Sequence, residues 1–142
     1  VGDLTRDSIV RMASMTKFVT SCCALCLVEE GLLSPGLDLT QTWLPELAQV
    51  QVLHKTDDGR VEERPRKGKI TLHQLLTHTS GVSYLLHTRA SVGEAEPLVD
   101  VIDALHGRYR EAGVFNALPH NEGCTSAEFL RCLARAPLAF EP

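Results

Sequence analysis

The sequence predicts a chain that is mostly helix with little strand, and three observations point there. Residues 14–30 form a helical segment that is apolar or small nearly all the way round, with Gly31 placed to stop it. Two capping boxes, Thr71–Gln74 and Thr125–Glu128, each open a further apolar helical stretch. Strand signals are confined to a few residues before Ala13 and to the region 48–70.

In chain order, Ile9, Val10 and Met12 read as the end of a short strand running into Ala13-Ser14. The helix from about Ser14 to Glu30 carries Phe18, Val19, Cys22, Cys23, Ala24, Leu25, Cys26, Leu27 and Val28, and such a helix is normally buried on more than one side. Ser34-Pro35-Gly36 is a turn, after which Asp38 or Thr40 caps a short helical piece ending near Trp43-Leu44, before Pro45. Loose alternation at Val50, Val52 and Leu53, with the turn signal Asp57-Asp58-Gly59, gives a short exposed hairpin or a loop. The basic run from Pro65 to Lys69 reads as a solvated loop. A short helix follows Thr71 and ends near Ser80-Gly81, and 82–96 is loop. Pro97 suits a first helical position, and Leu98, Val101, Ile102, Leu105 and Tyr109 keep helical spacing toward Gly113. After a loop at 114–124, the last helix turns Phe129, Leu130 and Leu133 inward and ends at Pro137. Trp43 and Phe18 are expected in the core.

Composition narrows the function classes. The 142 residues suit a single domain, and 44% hydrophobic content is enough for a core. With 14 Lys+Arg against 18 Asp+Glu there is no basic stripe of the kind nucleic-acid binders carry. No segment approaches the roughly 18 apolar residues that would span a bilayer, and the first ten residues lack a secretory signal pattern. Neither a nucleic-acid nor a membrane partner is expected. Five cysteines, an odd number, read as reduced thiols of a cytoplasmic protein; Cys22, Cys23 and Cys26 are taken as small buried hydrophobes rather than a redox or zinc C-x-x-C. His73 and His78 are five apart, about 140° around a helix, which suits joint metal ligation poorly. No metal or cofactor is expected.

One spacing carries chemistry. Ser14 and Lys17 form S-x-x-K, and three residues is about 300° of helical rotation, so the two side chains lie on neighbouring parts of one face. A serine hydroxyl is a poor nucleophile until a base takes its proton. A lysine does this once burial or neighbouring positive charge lowers its pKa from about 10.4 toward neutrality. The helix N-terminus disfavours the ammonium and favours a developing oxyanion. The pattern therefore meets the requirements of acyl transfer.

The stretches IVRMASMTKFVTSCCALCLVEEGLLS, WLPEL, ITLHQLLTHTSGVSY and LARAPLAFEP follow in the order and rough spacing of the penicillin-binding serine hydrolases. That superfamily includes class C β-lactamases, D-alanyl-D-alanine carboxypeptidases and family VIII esterases. The chain most resembles its fungal β-lactamase-like esterases and acyltransferases, those of the lovastatin side-chain type, over nearly its whole length. The resemblance implies an α+β, β-lactamase/transpeptidase-like fold, with 1–142 a partial domain that holds mainly the helical part and lacks N-terminal strands and the C-terminal sheet. It implies Ser14 as the acylated nucleophile, Lys17 as its proton-transfer partner and the Ser14 amide as an oxyanion donor. The substrate would be a small-molecule acyl donor: an ester, thioester or amide. The family's Tyr-x-Asn element has no match, since Tyr84 and Tyr109 are followed by Leu85-Leu86 and Arg110-Glu111; it would fall just beyond Pro142. The later Lys-Thr-Gly-type strand is absent too, and His78-Thr79-Ser80-Gly81 is expected to be structural, with Tyr84 near the site entrance.

Three functions follow as expectations: a serine hydrolase or acyltransferase, a non-catalytic fragment or pseudoenzyme, or, remotely, a small helical interaction module. The 142-residue chain itself is expected to be inactive or nearly so.

Overall fold

The computed structural model describes residues 3–83, 99–117 and 123–142. The chain divides into two compact units, Val1–Pro35 and Gly36–Pro142.

In the first unit, residues 8–12 form no strand, contrary to the sequence reading. A strand needs a ladder partner, and among the described residues nothing pairs with this segment. A 3-10 turn over Ala13–Met15 leads directly into helix α1, Thr16–Glu29. The helix ends as Gly31 predicts. Gly31 takes φ +74°, its N–H donates to the Val28 carbonyl at 3.0 Å, and the Leu32 N–H reaches back to Leu27 at 2.9 Å. Those two bonds make a Schellman closure, which satisfies carbonyls that the helix end would otherwise leave free.

The expected burial of α1 is not found. None of its residues is buried; Phe18 is 75% exposed, and Cys22, Cys23 and Cys26 are all exposed. Apolar side chains are covered only where other apolar groups face them, and the described part of Val1–Pro35 holds no second helix or strand of its own. The placement of Phe18 and the three thiols in a core is corrected accordingly.

The second unit packs a core of its own. Asp38 opens a 3-10 turn at Leu39–Gln41, its carboxylate accepting from the Thr40 N–H at 3.1 Å and the Thr40 hydroxyl at 2.8 Å. A second 3-10 turn, Pro45–Leu47, buries Leu47. Strand β1, Gln51–Lys55, pairs antiparallel with β2, Val61–Pro65, in the register Gln51↔Pro65 to Lys55↔Val61. The hairpin that the alternation suggested is present, but it is only partly exposed: Gln51, His54 and Lys55 of β1 are exposed, whereas Val52 and Leu53 are buried. On the other side of β1 the Leu53 N–H donates to Leu138 O at 2.9 Å and the Leu138 N–H to Gln51 O at 2.8 Å. Trp43, expected inside, is 60% exposed.

Both capping boxes form, with Thr71 and Gln74 opening α2, Leu72–Leu76, and Thr125 and Glu128 opening α4, Ser126–Leu133. Between them lies α3, Val99–Glu111, which turns Val101, Leu105 and Tyr109 into the core as their spacing predicts. Pro97 and Leu98 lie outside the described residues. Leu47, Val52, Ile70, Leu105, Tyr109 and Leu138 are the most deeply buried large side chains. Ion pairs Lys55–Asp100 at 2.7 Å and Arg108–Glu63 at 2.6 Å link α3 to the hairpin; half-exposed as they are, each contributes no more than about 1 kcal/mol.

The Pro65–Lys69 run is anchored rather than freely solvated. The Glu141 carboxylate accepts from the Lys67 and Gly68 amides, both at 2.6 Å, and pairs with Arg64 at 2.9 Å. Arg66 donates to the Ala48 carbonyl at 3.3 Å. Among the described residues, no helix is long and apolar enough to cross a membrane.

Candidate active site

Ser14 occupies the middle of the 3-10 turn that starts α1, and Lys17 lies in the first turn of the helix proper. The turn is held by backbone bonds: the Met15 N–H donates to Met12 O at 3.1 Å, and the Thr16 N–H to the carbonyls of Ala13 and Ser14. Met12 and Met15 hold the two N-cap positions and contribute no side-chain cap. This winding brings the S-x-x-K pair together, so that Lys17 Nζ donates to Ser14 Oγ at 3.1 Å. That is ordinary hydrogen-bond range for an amine and a hydroxyl, and within reach for proton transfer between them. Both residues are exposed.

The residue before Ser14 is unusual. Ala13 takes φ +46°, the left-handed region, which glycine, asparagine and aspartate favour and alanine does not. Sequence reasoning had no signal for it, since alanine is a strong helix former and stands directly before a helix.

Other residues singled out by sequence sit elsewhere. His78 also has positive φ, +59°, and Ser80 is buried. Gly81 takes φ +78°, and a Cβ there would stand 2.3 Å from the Phe140 carbonyl oxygen; the Ala139 N–H donates to Gly81 O at 2.7 Å. The His78–Gly81 segment is thus fixed against 138–140, the packing role expected of it. Tyr109 lies in the core and its hydroxyl accepts from the Ser83 N–H at 3.3 Å. Burial pushes its phenol up, and the Ser83 bond offsets this in part. Tyr84 lies outside the described residues. Among the described residues, no three His, Cys, Asp or Glu side chains are grouped to hold a metal ion.

The family model described as Beta-lactamase matches residues 2–142. The chain belongs to the beta-lactamase family. Within it, the chain is 47% identical over 83 residues to the monacolin J acid methylbutanoyltransferase of Aspergillus terreus, covering 56% of this chain and 19% of that protein. It is 47% identical over 79 residues to the lovastatin esterase of Penicillium rubens, covering 55% of this chain and 20% of that protein. Among solved structures, it resembles simvastatin synthase (LovD) of Aspergillus terreus, unliganded, with a TM-score of 0.58 and 32% identity over 93% of this chain and 27% of that one. The fold is therefore the α+β, β-lactamase-like one that the sequence motifs imply, represented here by helices and a two-stranded sheet. The chain spans about a fifth of the two curated relatives' length and about a quarter of the solved neighbour's.

Proposed function

We propose that the chain carries the nucleophile and proton-transfer partner of a serine hydrolase or acyltransferase that works through an acyl-enzyme, Ser14 and Lys17 respectively. The observation behind this reading is the 3.1 Å hydrogen bond between Lys17 Nζ and Ser14 Oγ. With its amine neutral, Lys17 takes the hydroxyl proton as Oγ forms a bond to the acyl carbonyl carbon. The bond to the leaving alcohol or thiol breaks, and the leaving group receives that proton. Water or an acceptor alcohol then attacks the acyl-serine by the same steps reversed. In this reading the Ser14 amide is the donor offered to the carbonyl oxygen as it becomes an oxyanion.

The relatives support a small-molecule acyl donor. One is named as a transferase of the methylbutanoyl group and another as an esterase, which favours ester or thioester substrates over β-lactams. Because the chain spans about a quarter of the solved neighbour, 1–142 is read as part of a larger domain whose further residues complete the site.

A second reading, a non-catalytic fragment or pseudoenzyme, draws on the exposure of Ser14 and Lys17. Among the described residues, neither side chain is enclosed as a desolvated catalytic pair would be. Treating the 142-residue chain and a version extended past Pro142 with a fluorophosphonate probe, and with p-nitrophenyl esters, separates the two. Labelling of the extended protein at Ser14, lost in Ser14→Ala, is the expected result. An extended protein that stays unlabelled removes the enzymatic reading. A p-nitrophenol burst from the 142-residue chain that disappears with Lys17→Ala would show that the short chain is active after all.

A further inference from the structure

We propose that Cys132 is a modification site for small anionic disulfides of the glutathione type, presented between Arg131 and Arg135 at an open cavity beside helix α4. The cavity, about 390 Å³, is bordered by Gly113, Asn116, Cys124, Glu128 and Cys132. Small-molecule sites run from about 300 to 1,000 Å³. An adjoining hollow of about 410 Å³ shares Glu128 and Cys132 and adds the two arginines. Spacing of three and four residues gathers Glu128, Arg131, Cys132 and Arg135 on one side of the helix, with the half-buried Cys132 among them. Two thiols meet the first cavity, and their hydrogen bonds run in opposite senses. Cys124 donates its S–H to the Ala117 carbonyl, which requires the neutral thiol. Burial first, then the nearby Glu128 and Cys132, push that thiol up. Cys132 instead accepts from Arg135 Nη2 at 3.2 Å, and a guanidinium on sulfur suits the thiolate, the form that attacks a disulfide. The two cysteines are poorly placed to bridge each other. Helical rise of about 1.5 Å per residue sets their backbones on the order of 10 Å apart, beyond the roughly 7 Å a disulfide spans. The Glu128 carboxylate, which would repel an anion, is held by the Thr125 N–H and hydroxyl, both at 2.9 Å. The step is an exchange: the Cys132 sulfur attacks one sulfur of the reagent, whose S–S bond breaks as the mixed disulfide forms. Cys132 is oxidised, and the departing half is reduced to a thiol with the proton that Cys132 gave up to solvent.

The site is independent of the Ser14 reading. The test incubates the full-length protein with glutathione disulfide and, in parallel, with the uncharged hydroxyethyl disulfide. Peptide mapping by mass spectrometry follows each cysteine separately, so the three exposed thiols of α1 do not obscure the result. With glutathione disulfide, Cys132 should react about tenfold or more faster than Cys124, whose S–H is engaged. Arg135→Gln should slow Cys132 by about tenfold, the worth of one charge-assisted hydrogen bond, and Arg135→Lys should recover part of the loss. Arg131→Gln should slow it by about threefold, as loss of an exposed charge does. With the uncharged reagent the Arg131→Gln variant should react at the wild-type rate, because no anion is being drawn in. Circular dichroism monitors folding, and if Arg135→Gln does not fold, the Arg131→Gln comparison between the two reagents decides. Cys132 reacting no faster than Cys124 overturns the proposal, as does a wild-type rate in Arg135→Gln. An equal fall with both reagents in Arg131→Gln removes recognition of the anion and overturns it too.

Discussion

The two units treat apolar residues in opposite ways. In Gly36–Pro142, Val52, Ile70, Leu105 and Tyr109 are at most 1% exposed. In Val1–Pro35, Ile9, Phe18 and Leu25 are 100%, 75% and 51% exposed, although α1 is the more apolar sequence. Apolar composition sets what a segment gains when covered; whether it is covered depends on a partner surface. The unit with the packed core holds neither Ser14 nor Lys17, and the unit that holds both has almost no core. Stability and chemistry should therefore respond to different substitutions.

The largest effect is expected at Ser14. In the full-length protein Ser14→Ala should reduce acyl-enzyme formation by about 10⁴-fold or more, as loss of a nucleophile does. The unfolding free energy should move by less than about 0.5 kcal/mol, because the side chain is exposed. Labelling kinetics and urea unfolding on the same preparation read both. In the second unit the pattern reverses. Leu105→Ala removes a side chain that is 1% exposed and should destabilise Gly36–Pro142 by about 2–5 kcal/mol. Equal losses of stability at both positions would erase the distinction between the units.

Much of this was legible in the sequence, for local reasons. The capping boxes at Thr71 and Thr125, the Gly31 stop and the inward face of α3 are each set within a turn or two of chain, where residue type and backbone geometry are tightly coupled. The S-x-x-K contact was legible in the same way, since three residues of helical winding suffice to make it. What failed depended on residues distant in sequence. Burial of Phe18 and Trp43 was inferred from composition alone, and no local signal says whether a partner faces them. The anchoring of the 65–69 run rests on Glu141, more than seventy residues away, and the second edge of β1 is hydrogen-bonded by Leu138, equally distant in sequence. Ala13 was missed because its conformation contradicts its own propensity, as strained residues do by nature.

The Glu141 anchor gives a smaller, pH-dependent test of the packed unit. The Gly68 amide most of all, then the Lys67 amide and the Arg64 guanidinium, hold the Glu141 carboxyl below its ordinary value, against partial burial that acts the other way. A carboxyl lowered in the folded state contributes stability that is fully present above its unfolded value, about 4.3, and is lost as pH falls through the folded value. Glu141→Gln should therefore cost about 1–2 kcal/mol at neutral pH, through weakened charge-assisted bonds. The gap between variant and wild type should narrow below about pH 4.3 in urea titrations. A constant gap from pH 7 to pH 3 would mean that the carboxylate charge is irrelevant to the anchor.

The smallest expected effect tests the first unit most directly. Phe18→Ala in the 142-residue chain should change the unfolding free energy by no more than about 0.5 kcal/mol, because the ring is 75% exposed and has little packing to lose. A phenylalanine buried as the sequence alone suggests would instead cost about 3–5 kcal/mol, the same order as Leu105→Ala. Measuring the two variants side by side removes dependence on the unfolding model, since only their ratio matters. A loss above about 2 kcal/mol at Phe18 would place α1 under cover and restore the burial that its composition predicts. A negligible loss would establish that α1 holds Ser14 and Lys17 together through local winding and backbone hydrogen bonds, with no contribution from packing around Phe18.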